Sequence, residues 1–555
     1  MEKESSQNLF RNPYFLIILL GFLVYLPSLF FNFTYLDDNV LILGNYHFLR
    51  NISNIFEAFK QQVFPIQSSP AFYYRPMLTI SYMLDAQLGE LSLFRYHLTS
   101  LIIHLINSCL VFYLLKKLNY KKNISLFFSV IFAIHPVLTQ ATAWLPGRND
   151  SLLALFVLAS FIFFVKFLES EKIKHFLLHV LFFASALFTK EIAIFLPILI
   201  IVYFCLIYKE KLLWHHKLKF IFGWIFIFLI WFILRRSALS TGIPKETNIF
   251  EMIKSVFAGL PALVQYIGKI IFPFNLSVLP IIKDTTFVYG IIAIILLILG
   301  LIFSKTKRFN FIIFGLIWFL MFLLPSFILP KDPAFSDFIE HRLYLPLFGF
   351  IIVLLELNLI NKLVDKPKKL MAVGVSVIIV FSIITLIHSQ NFKNRMNFWQ
   401  NAVKNSPHLP LAHRNMGAMY YLEGLFDKAE TEYKESLELN PYEQMVYNNL
   451  GLIYMNSDRF QEAEEEFKKE IEINPYYDTV YYNLGLLYYK QGKFEQAEAL
   501  WKKTLELSSD YIDAHYALMV FYYEQKDFEK AIFHAQYLQK IGVQLDPEIL
   551  KVLGL

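Results

Sequence analysis

Long apolar runs recur through the first two thirds of the chain and limit what it can fold into. A helix needs about 20 largely apolar residues to cross a bilayer, whose hydrocarbon core is roughly 30 Å thick. Composition agrees with a membrane protein, because 56% of the 555 residues are hydrophobic and only 17% are charged. We expect about eleven spanning helices, at residues 13–31, 96–115, 123–141, 151–168, 175–189, 191–208, 218–235, 287–304, 309–328, 343–361 and 370–389.

Clusters of Lys and Arg between these runs predict their orientation, since short basic loops stay in the cytoplasm. All of the clusters fall there if the N-terminus is cytoplasmic and eleven runs span the membrane. A further run, 256–274, would move the last two clusters outside if it crossed alone. We therefore expect a re-entrant or interfacial helix there, with an ordinary twelfth span as the alternative. The basic clusters are residues 116–122, 166–174, 209–219, 305–308 and 361–369.

Charge divides the chain into two parts. Residues 401–555 carry a net charge of −10, whereas the residues before them carry +16. This change predicts a domain boundary near residue 395, with a membrane domain over 1–395 and a second domain over 396–555. Eleven spans place the second domain outside the cytoplasm, which for a bacterial inner membrane is the periplasm. Nucleic-acid binding is disfavoured, because the basic residues lie where membrane insertion requires them.

The second domain repeats itself every 34 residues, with the same residue types in phase. The recurring positions are Ala429, Ala463, Ala497 and Ala531; Phe426, Phe460, Phe494 and Phe528; and Gly417, Gly451 and Gly485. This period predicts tetratricopeptide repeats at 410–443, 444–477, 478–511 and 512–545, with a partial unit before them. The expected fold class is therefore all-α: a polytopic membrane domain followed by an α-solenoid, whose concave face binds a peptide or protein acceptor.

Polar motifs gather on the predicted outer face, and charge near a membrane usually has a function. Carboxylates beside several cations suit sugar transfer from a polyprenyl-phosphate donor, since cations hold phosphate and a carboxylate takes the proton of the acceptor hydroxyl. Asp38 or Asp37 is the predicted base, with Asp38 preferred, although the same pair could cap a helix. The candidate phosphate contacts are Arg75, Arg148, Lys190 and Arg342. The candidate supporting residues are His135, Asp150, Glu191, Glu340, His341 and Tyr344.

Several stretches resemble the transmembrane and tetratricopeptide repeat-containing O-mannosyltransferases and their bacterial relatives, which belong to the GT-C class. The stretches are 35–45, 73–107, 135–156, 188–197 and 340–349. The resemblance implies a GT-C-like membrane fold, a dolichyl- or undecaprenyl-type phosphate-sugar donor, an inverting transfer to a protein hydroxyl, and a base among Asp37 and Asp38. One departure is His341, where a second permanent cation is expected, because His is neutral near pH 7 unless its pKa is raised.

Other chemistry is disfavoured. The sequence lacks a Walker-type glycine loop, an H-E-x-x-H motif and a Cys-x-x-Cys motif, so ATP hydrolysis and zinc proteolysis are not expected. We expect no cofactor and no bound metal, although two adjacent carboxylates can hold Mg²⁺ or Mn²⁺. Two alternatives stay open: a non-catalytic, membrane-anchored repeat scaffold for envelope assembly, and a transferase of the same class that acts on a lipid or polysaccharide.

Overall fold

The computed structural model describes residues 12–64, 73–89, 91–209, 213–239, 249–304, 308–328, 338–358, 360 and 367–555. The regular elements among these residues are all helices, which confirms the predicted all-α class. The chain forms two compact units, one ending at His408 and the other beginning at Leu409. We call them the membrane unit and the repeat unit.

The membrane unit is built from helices of very different lengths. Those of seven or more residues are α1 (Pro13–Tyr25), α2 (Pro76–Gly89), α3 (Leu93–Lys117), α4 (Lys122–Ile134), α5 (Arg148–Ser170), α6 (Ile173–Leu187), α7 (Leu196–Tyr203), α8 (Trp214–Ala238), α9 (Ile249–Gly259), α10 (Pro261–Ile271), α11 (Val288–Ile302), α12 (Phe309–Leu323), α13 (Pro346–Leu355), α14 (Pro367–Ser389) and α15 (Arg395–Asn405).

Seven helical stretches of the described residues are long and apolar enough to cross a membrane, so the chain is an integral membrane protein. They are Pro13–Phe30, Leu93–Lys117, Leu145–Ser170, Glu191–Tyr208, Trp214–Ala238, Phe309–Phe327 and Met371–Phe392. Helix α4 and the turn after it are bent by 48° and make an eighth if they form one span. Helices α6, α11 and α13 are shorter apolar helices. Each of the eleven predicted runs thus contains an apolar helix. Among the described residues, only seven of these helical stretches are unbroken and long enough to span the membrane.

The run 256–274 forms two helices instead of one. Helix α9 ends at Gly259, and α10 begins at Pro261, where the missing amide hydrogen of proline costs nothing. Each helix has 11 residues, which at 1.5 Å per residue is about 16 Å and too short to cross the bilayer alone. The prediction of a re-entrant or interfacial segment here stays a prediction.

Helices α12 and α13 approach each other closely and carry the segment 340–345 at one end. A Cβ atom on Gly315 would lie 2.6 Å from the carbonyl oxygen of Gly349, and the reverse is also true. Small residues at such crossings let helix backbones touch, which strengthens packing in a bilayer. Trp318 fills the space beside this crossing and is fully buried.

Helix α15 belongs to the membrane unit, although its sequence resembles a partial repeat. The Trp399 indole donates to the carbonyl of Thr34 at 3.1 Å, and the Asn401 side chain accepts from the amide of Val278 at 3.1 Å. These contacts hold α15 within the membrane unit, which extends to His408.

The repeat unit stacks helix pairs with short turns. Its helices are α16 (Pro410–Leu422), α17 (Phe426–Leu439), α18 (Val446–Asn456), α19 (Phe460–Ile473), α20 (Asp478–Lys490), α21 (Phe494–Leu507), α22 (Ile512–Glu524), α23 (Phe528–Lys540) and α24 (Pro547–Leu553). In the first three pairs, the first helix packs a glycine against an aromatic ring of the second. A Cβ on Gly451 would lie 2.6 Å from the ring of Phe467, so glycine is needed for this approach.

We expect Phe467→Ala to lower the free energy of unfolding of a fragment 409–555 by about 3–5 kcal/mol, because the fully buried ring leaves a cavity. Trp501 is the only tryptophan in this fragment, so its fluorescence reports urea unfolding. Tyr476→Ala is the control: that side chain is 77% exposed, and its loss should change stability by no more than about 0.5 kcal/mol. Equal effects of the two substitutions would contradict the packing described.

Candidate active site

The carboxylate pair lies in a tight loop after α1. The Asp38 carboxylate is buried and accepts hydrogen bonds from the backbone amide of Thr34 at 2.6 Å and from its hydroxyl at 2.9 Å. Tyr35 within this loop has a positive φ of 59°, so the chain turns sharply here. Asp37 is only partly buried. Asp38 therefore holds the loop in shape, and Asp37 is the more accessible carboxylate.

Burial raises the pKa of Asp38, although hydrogen bonds from Thr34 act in the opposite direction. A raised pKa suits a general base, but a base must first reach the proton that it removes. The Asp38 carboxylate is only 1% exposed and already holds Thr34, so its geometry outweighs the favourable pKa.

Trp144 joins this loop to the second half of the site. Its indole donates to the hydroxyl of Thr34 at 2.9 Å, and its ring centroid lies 5.8 Å from that of His341. Trp144 directly precedes the turn that opens α5, so the start of this helix is fixed against the carboxylate loop.

Asp150, in the first turn of α5, is the centre of a cluster of charged side chains. Its two carboxylate oxygens accept from the Lys190 amine at 2.8 and 2.9 Å, and His341 Nε2 lies 3.7 Å from one of them. Arg75 donates to the Asn149 side-chain oxygen at 3.1 Å, with the amide oriented to satisfy its neighbours, and lies 3.9 Å from Glu191. These predicted residues thus come together in one place.

Several cationic side chains come close together in the cluster. Burial lowers the pKa of Lys190, and the nearby positive charges of Arg75 and Arg342 lower it further, against the effect of Asp150. Within the described parts of the chain, the cations Arg75, Lys190 and Arg342 thus lie near the carboxylates of Asp150 and Glu191. Such a cluster attracts an anion, and arginine is well suited to phosphate.

Arg148 does not fit its predicted role as a phosphate contact. Its side chain is fully buried, and its guanidinium lies 2.5 Å from the Asp85 carboxylate, donates to the Ser100 hydroxyl, and stacks over the Tyr82 ring at 4.7 Å. A further hydrogen bond goes to the backbone carbonyl of Tyr96. Through these contacts Arg148 connects α5 to α2 and α3, and its buried guanidinium is not accessible to a substrate.

Glu340 acts as a buried anchor next to the cluster. Its carboxylate accepts from Lys269 at 2.6 Å, from the Ser277 amide at 3.0 Å and from His388 at 3.1 Å. Burial alone would raise the pKa of Glu340, but the positive charge of Lys269 and the contact with His388 hold it below its ordinary value. The anchor fixes the segment that also carries His341 and Arg342.

Two predicted supporting residues lie in the protein interior. The ring of His135 contacts the carbonyl of Ile270 at 3.1 Å and accepts from the amide of Val137, as a helix cap does. The Tyr344 hydroxyl bonds to His104 at 2.7 Å and to Asn107 at 3.1 Å. Both residues stabilise packing between helices and do not reach the charged cluster.

Three residues that contact the predicted site residues were not among those predicted from sequence: Thr34, Trp144 and Asn149. Trp144 and Asn149 lie inside the stretch 135–156, which carries much of the family resemblance, so the signal was present without a role attached. Among the described residues, no group of three or more His, Cys, Asp or Glu side chains could hold a metal ion.

Fold and site together define a polytopic helical membrane protein with a cationic site and a repeat unit. The family model "Dolichyl-phosphate-mannose-protein mannosyltransferase" matches residues 76–238, and "Tetratricopeptide repeat" models match 442–510 and 482–541. The resemblance to the transmembrane and tetratricopeptide repeat-containing O-mannosyltransferases is confirmed.

Known relatives share this resemblance over limited lengths. The chain is 34% identical to Protein O-mannosyl-transferase F38B6.6 of Caenorhabditis elegans, over 30% of this chain and 24% of that protein. It is 33% identical to Protein O-mannosyl-transferase TMTC3 of Homo sapiens, over 17% of this chain and 10% of that protein. The matches therefore span less than a quarter of these relatives. The crystal structure of MamA is similar at 22% identity and a TM-score of 0.24, over 26% of this chain and 85% of that chain.

We expect Lys269→Met to lower the free energy of unfolding by about 3–5 kcal/mol, because it leaves the buried carboxylate of Glu340 without its main cation. Thermal unfolding in detergent measures the effect. Lys60→Met is the matched control, since Lys60 and Glu57 form a mostly exposed pair whose loss should matter little. The double variant Lys269→Met/Glu340→Met should recover most of the loss. A double variant no more stable than Lys269→Met alone would contradict the role of charge burial.

Proposed function

We propose that the chain is a GT-C-type, inverting glycosyltransferase. It moves a sugar from a polyprenyl-phosphate donor to a hydroxyl group of a protein acceptor, at the extracytoplasmic face. The observation that carries this proposal is the cationic cluster around Asp150, joined through Trp144 to the carboxylate loop of Asp37 and Asp38. The mannosyltransferase model over residues 76–238 supports it, since Trp144, Asp150 and Lys190 lie within that range.

The cluster supplies what the phosphate leaving group needs. As the bond between the sugar and the phosphate oxygen breaks, negative charge grows on the phosphate. Arg75, Lys190 and Arg342 are placed to neutralise that charge, in a partly buried site where each contact is stronger than in water. Asp150 keeps Lys190 charged and pointed into the cluster, while His341 adds a second hydrogen-bonding group beside Asp150.

Asp37 is the proposed general base. It accepts the proton of the acceptor hydroxyl as the hydroxyl oxygen attacks the anomeric carbon, and the electrons of the breaking bond leave with the phosphate. One displacement of this kind inverts the configuration at the anomeric carbon. Asp38 is a positioning residue, because its carboxylate holds Thr34 and through it Trp144.

The repeat unit is proposed to bind the protein acceptor. Stacked repeats present an extended concave surface of the kind that binds peptides and proteins. Exposed aromatic side chains, such as Tyr442 and Tyr476, recur at the turns between its repeats. Binding by this unit would raise the local concentration of acceptor hydroxyls near the membrane.

The base assignment predicts different outcomes for neighbouring carboxylates. We expect Asp37→Asn to lower the rate of transfer from labelled polyprenyl-phosphate mannose to protein by about 10²–10⁴-fold, with the fold intact. Asp38→Asn should lose less activity, because an asparagine oxygen can still accept from Thr34. Glu57→Gln, an exposed carboxylate near the same loop, is the control and should leave transfer unchanged.

The reverse order, with Asp38→Asn the more damaging variant in a folded protein, would exchange the two roles. Transfer to lipid or polysaccharide only, in the same assay, would replace the protein acceptor. No transfer from any donor would favour a membrane-anchored scaffold.

Substitutions of Arg342 and Arg148 should affect donor binding and protein stability differently. We expect Arg342→Gln to raise the KM for the donor at least about tenfold, since one charge-assisted contact to phosphate contributes about 1.5–3 kcal/mol. Because Arg342 is only partly buried, the thermal midpoint of this variant should fall less than that of Arg148→Gln. Arg148→Gln should instead lower the midpoint strongly, because Asp85 is left buried without its partner. A stable Arg148→Gln protein with a raised donor KM would restore Arg148 as a phosphate contact.

A further inference from the structure

An apolar groove of about 450 Å³ lies on the membrane unit, lined by α1, α3 and α5. Ile18, Ile102 and Ile106 form part of its wall, and each is more than 40% exposed. All three helices belong to stretches of spanning length, so the groove faces the hydrocarbon of the bilayer. Its occupant must therefore come from the membrane.

The length of the groove along α3 matches the thickness of one leaflet. Along α3 its lining runs from Ile102 to Tyr113, a separation of eleven residues. At 1.5 Å per residue this is about 16 Å, close to half of the roughly 30 Å hydrocarbon core. This length suits one acyl chain of a lipid in a single leaflet.

One end of the groove carries a positive charge. The Lys166 amine lies 5.1 Å from the ring centroid of Tyr113 and 5.0 Å from that of Phe163. Within the described parts of the chain, no carboxylate forms an ion pair with Lys166, whereas its neighbour Lys117 is paired with Glu169 at 2.6 Å. An amine held over aromatic rings at the mouth of an apolar groove is placed for a lipid phosphate.

This charge is far from the candidate active site. Asp150 and Lys166 lie on the same helix, α5, sixteen residues apart. That separation is about 24 Å along the helix axis, so the two charged ends lie near opposite faces of the bilayer. A donor whose phosphate meets the cluster around Asp150 cannot place the same phosphate at Lys166.

We infer that the groove is a binding site for an anionic phospholipid, which lays one acyl chain along α3 and sets its phosphate at Lys166. The lipid comes from the leaflet that faces the basic loops, including residues 116–122 and 166–174. Basic side chains at this level attract anionic headgroups. Bound there, the lipid fills the space between α1 and α5 and supports their packing from the face opposite to the candidate active site.

Native mass spectrometry of the purified full chain tests this inference with phosphatidylglycerol and phosphatidylcholine of identical acyl chains. We expect the wild type to bind phosphatidylglycerol more tightly. Lys166→Gln should weaken phosphatidylglycerol binding about fivefold and leave phosphatidylcholine binding unchanged. Ile106→Trp should weaken both, because the added ring fills the groove. Lys174→Gln, an exposed lysine in the neighbouring basic loop, is the matched control and should behave as the wild type.

Three outcomes would overturn the inference. The first is equal affinity of the wild type for the two phospholipids. The second is a Lys166→Gln protein that binds as the Lys174→Gln protein does. The third is displacement of bound phosphatidylglycerol by an equal concentration of polyprenyl phosphate, which would assign the groove to the donor lipid. Thermal midpoints measured without added lipid identify any variant that is misfolded. If Ile106→Trp is misfolded, the phosphatidylglycerol affinity of Lys166→Gln still tests the contribution of the Lys166 charge.

Discussion

The ion pair between Asp150 and Lys190 is the contact on which the candidate active site depends. Both side chains are less than one-fifth exposed, and a charge so placed is costly unless an opposite charge lies beside it. The pair ties the first turn of α5 to the segment that precedes α7. Arg75, His341 and Arg342 lie around it, so several cationic or ionisable side chains are brought close together.

Two further buried pairs fix the surroundings of this cluster. Arg148 with Asp85 ties α5 to α2, and Lys269 with Glu340 ties α10 to the segment before α13. Their side chains are buried almost completely, so they do not meet a substrate. The two groups of charged residues therefore differ in burial. Buried pairs hold the helices together, whereas the cations proposed to hold a phosphate, Arg75, Lys190 and Arg342, are only partly buried.

Much of the fold follows from apolar runs and repeat period, because both reflect local physics. Each predicted span has a helix at its position, and the 34-residue period marks helix pairs directly. The length of a spanning helix is harder to predict from sequence, since proline residues and bends shorten helices such as α4. The partners of α15, such as Thr34, are distant in sequence, so no local pattern marks this helix as part of the membrane unit.

The roles of the site residues were harder to predict from sequence than the fold. Charged residues in polar motifs were found readily, yet their roles depend on partners that no local pattern encodes. Arg148 and Arg342 look equivalent in sequence, but one faces Asp85 in the interior and the other lies by Lys190. Asp37 and Asp38 are adjacent in sequence, but Asp38 is the more deeply buried and its carboxylate accepts from Thr34.

The most direct test of this account is an experimental structure of the full chain with a polyprenyl-phosphate sugar bound. The account predicts the donor phosphate within hydrogen-bonding distance of Lys190 or Arg342, and the Asp37 carboxylate facing the anomeric carbon, with Asp38 still bonded to Thr34. A donor phosphate bound away from the Asp150 cluster, or an anomeric carbon that faces Asp38 with the Thr34 bonds broken, would contradict it.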